Sequence, residues 1–266
     1  MKNVYLKIGI VIIAAMLLIM IVSVFYTPYD HIAYNVEEKL SSPSGAHLFG
    51  TDHMGRDILS RVMTGTQRTF FIAIGTVIIG IVVGTVIGAF SGYFGGLVDE
   101  TIMRINDALL SFPGLLLALV LVTIWGAKTH MIVIALGIIF IPSYLRVVRG
   151  EYVRVRNLDF VNSAKAMGAK PMRIMFLHIF PNVLPQIIPS ITIGFSNALL
   201  AEASLSFLGL GVKFPATSWG SIISEAQSYI FTAPWFILFP VLMITLSVLG
   251  FNFIAEGLKK ELAVKK

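Results

Sequence analysis

The sequence of 266 residues contains no cysteine. That absence excludes disulfides, thiolate catalysis, cysteine-ligated zinc and iron–sulfur clusters together. Charge is scarce as well: Lys, Arg, Asp and Glu make up 13% of the chain, against roughly a quarter in an ordinary soluble domain, and 56% is hydrophobic. The mean hydropathy is +0.86. Several catalytic signatures are missing too. There is no Gly-x-x-x-x-Gly-Lys-[Ser/Thr] phosphate loop, no His-Glu-x-x-His zinc motif, no Gly-x-Ser-x-Gly elbow and no pair of carboxylates set in a polar cleft. ATP hydrolysis and other catalysis are therefore not expected of this chain.

What is present is a series of apolar runs, charge-free except for Glu202 in the fifth, of the order of the roughly 20 residues needed to cross about 30 Å of hydrocarbon. Six emerge: Ile8 to Phe25, Phe70 to Phe94, Ala108 to Gly126, His130 to Leu145, Val183 to Leu208 and Trp235 to Ala255. The expectation is an all-α, multi-pass membrane protein with six transmembrane helices. The first run follows Lys2 and Lys7 but lacks a small-x-small cleavage site after it, so it reads as a retained anchor. With the N-terminus in the cytoplasm, 14 of the 20 Lys and Arg residues fall on the cytoplasmic side. They are Lys2, Lys7, Arg104, seven between Arg146 and Arg173, and Lys259, Lys260, Lys265 and Lys266. Only Lys39, Arg56, Arg61, Arg68, Lys128 and Lys213 fall outside. This asymmetry puts both termini inside and accounts for the net charge of +6 without nucleic-acid binding.

The cytoplasmic segment 146–181 carries the clearest local pattern. A basic run, Arg146 to Arg156, reads as extended; Asp159 then sits at an N-cap, and Gly168 where a left-handed C-cap belongs. Between them lies a two-turn helix with Phe160, Ala164 and Met167 on one face. Pro171 opens a second helix that Pro181 is expected to end. A two-turn helix is marginal in water, so a partner must hold it. One reading lays the hairpin on anionic lipid. The other docks it in a groove of a soluble partner, with Ser163, Ala164 and Ala166 permitting close approach and Phe160 and Met167 filling the groove.

Asn162-Ser163-Ala164-Lys165-Ala166-Met167-Gly168 followed by His178-Ile179-Phe180-Pro181-Asn182 resembles the EAA loop of ABC-importer permeases, and the spacing from Gly168 to Pro181 matches. Asn162, Ser163, His178 and Phe180 depart from the general pattern and are similar to the peptide and nickel branch. The stretch Gly50-Thr51-Asp52-His53-Met54-Gly55-Arg56-Asp57-Ile58-Leu59-Ser60-Arg61 resembles an element of the second, C-type permease subunit of dipeptide, oligopeptide and nickel importers. Further matches run through Gly92 to Gly96, Asp99, Arg104, Asp107, Pro113, Glu202 to Gly211, Ser218 to Gly220 and Asn252, while Ala255-Glu256 departs from the usual Gly-Asp. The resemblance covers about residues 45 to 260. It implies a type I ABC importer permease fold: an N-terminal anchor and outer loop over 1–68, and a core permease domain over 69–260 with the coupling loop 146–181. It also implies a homologous B-type permease partner, two ATP-binding subunits that hold the ATP and Mg, an extracytoplasmic solute-binding protein, and a peptide, nickel or metal-chelate cargo. Asp159, Phe160, Ser163, Ala164, Ala166, Met167 and Gly168 would couple to the ATPases, with no cofactor on this chain. A self-contained channel or secondary transporter is the rival reading, and a membrane-embedded enzyme a further one.

Two other features call for roles. Glu202 is the one ionisable side chain inside an otherwise apolar run, so a pathway or gate role is the default. Hydration near the outer interface, or hydrogen bonding to Ser204 or Ser206, stays open. In the outer loop, His47, Asp52 and His53 lie close in sequence but supply too few ligands for a closed metal site. No metal is expected there; Asp52, Arg56, Asp57 and Arg61 read as a charged turn, with Arg56 pairing bidentately with a carboxylate. Finally, Gly75, Gly80, Gly84, Gly88, Gly92, Gly95 and Gly96 give the second span a small-residue face, for a contact within the chain or with a sister subunit. Residues 213 to 234 read as an interfacial helix and turns, with Trp219 and Trp235 in an aromatic belt.

Overall fold

In a bilayer every backbone N–H and C=O must be satisfied within its own segment, so the apolar runs become helices. The computed structural model describes residues 4–264, with side chains through 262. The expected cytoplasmic Lys2, Lys265 and Lys266 lie outside the described residues. Ten α-helices follow in order: α1 Val4–Phe25, α2 Ile58–Phe94, α3 Gly96–Ser111, α4 Gly114–Trp125, α5 Thr129–Val155, α6 Asp159–Ala166, α7 Pro171–Arg173, α8 Phe180–Phe207, α9 Trp219–Ala226 and α10 Pro234–Val264. A π-helical turn, Ile174–Ile179, joins α7 to α8 without a break. The only pairing of strand type among the described residues is the isolated bridge between Thr51 and Asp57.

Five helices are long and apolar enough to span, and α3 with α4 forms a sixth, bent by 85°. The expectation of six crossings holds, but the third is not the straight run Ala108 to Gly126. Pro113 lacks an N–H and forces Phe112 into an extended conformation (φ −83°, ψ 137°), which ends α3. The remaining α4 rises only about 18 Å, short of the hydrocarbon thickness.

Three other boundaries shift. The run Arg146 to Arg156 is helical rather than extended, because α5 continues to Val155 and carries its arginines out of the apolar layer. Pro181 does not end a helix. It occupies the first turn of α8 after the π-helical turn, where its missing N–H costs little, and Asn182 Nδ2 donates to the His178 carbonyl at 2.7 Å. The boundary drawn at residue 68 falls inside α2, which starts at Ile58 under an Asp57 cap whose carboxylate accepts from the Ser60 N–H.

Helix association inside lipid gains little from the hydrophobic effect, so close packing has to supply it. The glycine face of α2 does this within the chain, against α5. A Cβ added at Gly75 would lie 2.6 Å from Val133, at Gly84 2.8 Å from Tyr144 and at Gly88 2.6 Å from the Leu145 carbonyl oxygen. A Cβ at Gly92 would meet Tyr152 at 2.6 Å, so residue numbers rise together along the two helices and they run parallel. A second seam joins α1 to α10 in the antiparallel sense, with Gly9 against Gly250 and Gly257 against Leu6. The anchor helix is thus part of the bundle.

Substituting Gly88 with Leu should separate α2 from α5, since the nearest obstacles are backbone atoms that cannot rotate away. A loss of about 2 kcal/mol or more is expected, read as a lower unfolding midpoint in detergent. Gly150→Ala is the control: it faces open space on α5 and should be neutral or gain up to about 1 kcal/mol from helix propensity.

Candidate functional site

The two-turn helix α6 is present at the expected residues. Leu158, rather than Asp159, is its N-cap, and Asp159 opens the first turn. At the other end Gly168 takes φ +78°, its N–H donates to the Lys165 carbonyl, and the Ala169 N–H donates to that of Ala164. This double bond pattern closes the helix, and only glycine adopts that backbone cheaply. The inner face is Val161 and Ala164, both fully buried among Tyr152, Val155, Ile174 and Met175. Ala164 therefore seats α6 on its own chain and is not part of an outward docking face. The outward face is Phe160, Ser163, Ala166 and Met167, with Met167 81% exposed. The seat is tied to both neighbours: the Tyr152 hydroxyl donates to the Met175 carbonyl at 3.1 Å, and the Phe180 N–H donates to that same carbonyl across the π turn.

The reversal from α2 to α3 lies near this end and is clamped to α5. Arg149 donates to both carboxylate oxygens of Asp99 at 3.0 and 2.5 Å, and Arg156 donates to the Gly92 carbonyl at 2.9 Å. Asp107 pairs with Arg146 at 2.5 Å on an exposed face. Sequence patterning named Asp99 and Asp107 without their partners, because their arginines lie some 40 to 50 residues away in the chain.

At the opposite end the segment around Asp52 folds into a charged node. Asp52 Oδ2 accepts from Arg56 Nε and from an Arg61 terminal nitrogen, both at 2.6 Å, and all three residues are buried. Both arginines also reach Glu225 on α9, at 2.6 and 2.9 Å. Arg56 thus bridges two carboxylates instead of gripping one bidentately, because Arg61 competes for both. Burial works against the Asp52 charge, but Arg61 and Arg56 outweigh it and hold the carboxyl below its ordinary range. Asp57 caps α2 and bonds His47 Nδ1 at 2.9 Å, while His47 Nε2 meets Glu38 at 3.2 Å. Burial opposes the charge on His47, yet its bonds to Asp57 and Glu38 prevail and raise its pKa. His53 borders the node, its ring stacked on Tyr229 at 5.4 Å and its Nδ1 3.9 Å from Glu225, and burial lowers its pKa.

Asp52, His53 and Glu225 bring potential ligand atoms within 4.8 Å of one another. They do not fit a divalent cation, because two guanidinium groups already neutralise the two carboxylates at the same point. Glu225 was not foreseen from sequence; an acidic residue more than 160 positions from its partners leaves no local signal.

Glu202 is fully buried where α8 meets α9. One carboxylate oxygen accepts from Ser206 at 2.8 Å and Ser218 at 2.7 Å, and the other has no partner. Ser204 instead bonds the Leu200 carbonyl. The same junction buries Trp219 completely, its indole N–H donating to the Val62 carbonyl at 3.0 Å, so it is a core residue rather than a belt residue. The expected helix in this region is α9, capped reciprocally by Ser218 and Ser221.

Between the α3–α4 bend, α5 and α8 lies a cavity of about 510 Å³. Its wall is mainly aliphatic and aromatic, with Ser143, Tyr144, Ser190 and Asn197 as its side-chain polar groups and no charged residue. Glu202 does not line it.

Residues 84–263 match the family described as binding-protein-dependent transport system inner membrane component. The chain belongs to this family. It is 39% identical, over 99% of its own length and 87% of the relative's, to the dipeptide transport system permease protein DppC of Alkalihalophilus pseudofirmus. It is 42% identical to the glutathione transport system permease protein GsiD of Shigella flexneri, over 94% and 84% of the two chains. The fold is similar to that of the MetNI methionine ABC transporter in an inward-facing form, with TM-score 0.60, 18% identity, and coverage of 77% of this chain and 97% of that one. The chain is thus a multi-pass permease subunit of an ABC importer, and the self-contained channel and secondary transporter readings are set aside.

Two tests follow for this permease. Glu225→Ala leaves buried Arg56 and Arg61 sharing one carboxylate. A loss of about 1–3 kcal/mol is expected, discounted from the fully buried case because Glu225 is 32% exposed. Glu256→Ala, which breaks an exposed 3.6 Å pair with Lys260, should stay within about 0.5 kcal/mol by the same unfolding assay. His47 has a folded pKa above its ordinary 6.5, so its charge contributes stability fully below that value, lost as pH rises through the folded one. His47→Gln should accordingly cost more at pH ~5.5 than at pH ~8.5, and an equal cost at both would show that the charge contributes nothing.

Proposed function

We propose that this permease forms one half of a peptide importer, pairing with a homologous six-span subunit above two ATP-binding subunits that hold the ATP and Mg. The cargo is a short peptide, a reading supported by the dipeptide and glutathione named for its relatives. Both termini and α6 lie on the cytoplasmic side, supported by the Lys and Arg asymmetry, and the charged node faces an extracytoplasmic solute-binding protein.

The observation that carries this reading is the two-sidedness of α6. Its inner face is locked into the end of α5 and the π turn that leads into α8, while its outer face leaves Met167 largely exposed and Phe160 partly so. A helix anchored on one side and apolar on the other is suited to a groove on a moving partner. When the ATPases close on ATP, a push on α6 travels as a rigid-body displacement into α5 and α8, which wall the cavity. Rocking of the two permease subunits then exposes the central path to the binding protein.

The test uses the reconstituted complex with its binding protein. Phe160→Ala combined with Met167→Ala should leave the complex folded, with a small loss of midpoint from the covered part of Phe160, and reduce ATP-coupled uptake by about tenfold or more. Gly168→Pro, which demands φ near −65° where the chain has +78°, should uncouple hydrolysis from uptake with membrane insertion intact. Ala164→Leu should instead lower stability, as an overpacked core position does. Wild-type coupling in both the outer-face double variant and Gly168→Pro would defeat the lever reading.

A further inference from the structure

The cavity between the α3–α4 bend, α5 and α8 contains polar groups that the fold itself does not use. Ser143 and Asn197 are exposed, lie within spanning helices, and their side chains make no hydrogen bond among the described residues. An amide facing hydrocarbon unpaired would be costly, so this wall faces water, a partner or a solute rather than lipid. Tyr144 adds an independent observation. It is 3% exposed, its hydroxyl has no partner, and the oxygen is pressed against Gly194, where any Cβ would collide with it. Ser190, Gly194 and Asn197 are spaced four and three residues apart on α8, so the hydroxyl sits on the helical face that carries both polar neighbours. Ser190 already donates to the Ile187 carbonyl at 2.6 Å, which leaves its oxygen free to accept.

We propose that this wall is a solute-contact site for uncharged amide groups, with Asn197 and Ser143 as its hydrogen-bonding members and the buried Tyr144 hydroxyl setting the floor between them. The inference rests on the peptide-importer reading. Asparagine offers one donor group and one acceptor, the complement of a peptide amide, and hydroxyls serve either role. With no charged side chain in the lining, a zwitterionic peptide meets no ion pair to hold it. Contact is then strong enough to guide entry and weak enough to permit exit, as a conducting path requires. Selection among side chains is left to other parts of the transporter.

The experiment is uptake of radiolabelled dipeptides by the complete transporter in proteoliposomes, with its binding protein outside and ATP inside. Asn197→Leu and Ser143→Ala should keep the wild-type unfolding midpoint, since neither side chain makes a hydrogen bond among the described residues. Each should slow uptake about tenfold, equivalent to about 1.4 kcal/mol, and retain ATPase stimulation by the binding protein. Asn197→Asp should introduce a preference, also about tenfold, for a lysine-containing over a glutamate-containing dipeptide. Wild-type rates for every dipeptide in all three variants would overturn the site. Absence of ATP-dependent peptide uptake by the wild-type complex, with ATPase activity intact, would instead overturn the peptide reading and the site with it.

Discussion

Lipid removes the hydrophobic drive for helices to associate, and the parallel contact of α2 with α5 replaces it with backbone proximity. Gly80, Gly84 and Gly88 let the ring of Tyr144 and the main chain of Leu145 reach the α2 backbone. Everything downstream of that seam depends on its register. It brings Arg149 opposite Asp99 and Arg156 opposite the Gly92 carbonyl, which fixes the reversal into α3. It also aims the Tyr144 hydroxyl at Gly194 of α8, closing one side of the cavity. Beyond the seam α5 continues as the post on which α6 sits.

Buried polar groups in this chain mark junctions that sequence separation alone would leave loose. The node gathers Asp52, Arg56, Arg61 and Glu225 with their charges balanced, so burial is tolerated and α9 is tied to the start of α2. Glu202 works at the next junction along, held by Ser206 and Ser218 from two elements. It is fully buried and absent from the cavity lining, and its bonds to Ser206 and Ser218 tie α8 to the start of α9. Trp219 completes the same corner with Thr69 and Val62.

Much of the fold was legible because hydropathy runs are a direct readout of what lipid will accept. The capped helix at 159–166 was legible for a different reason, since Gly168 and Pro171 bracket it with local backbone chemistry. The misreadings share a cause: residues were judged by their own type where a distant neighbour decided. Charge on Arg146 to Arg156 suggested the end of order, yet a helix leaving the membrane keeps its backbone bonds while its side chains change solvent. Pro181 looked like a stop, but the π turn supplies the offset that lets a proline begin the next turn. Ala164 looked like a docking residue because small residues allow close approach, and its close approach is to Tyr152, Val155 and Ile174. Glu225, Arg149 and the cavity groups Ser143, Tyr144 and Asn197 had no sequence signal, because each acquires its role from an element it meets only in three dimensions.

The π turn ties the seat of α6 to both of the long helices that wall the cavity. Met175 offers one carbonyl to two donors, the Phe180 N–H along the chain and the Tyr152 hydroxyl across it, so the base of α8 and the end of α5 share a single fixed point. Above that point Pro185 and Pro189 interrupt the hydrogen-bond ladder of α8, one turn apart and immediately before Ser190. Pro142 does the same in α5, immediately before Ser143. The two helices are thus coupled rigidly at the π turn and weakened at matching levels beside the cavity. The interrupted stretches of both helices therefore border the wall that carries Ser143, Tyr144, Ser190 and Asn197, the part of the bundle least constrained by helix hydrogen bonds.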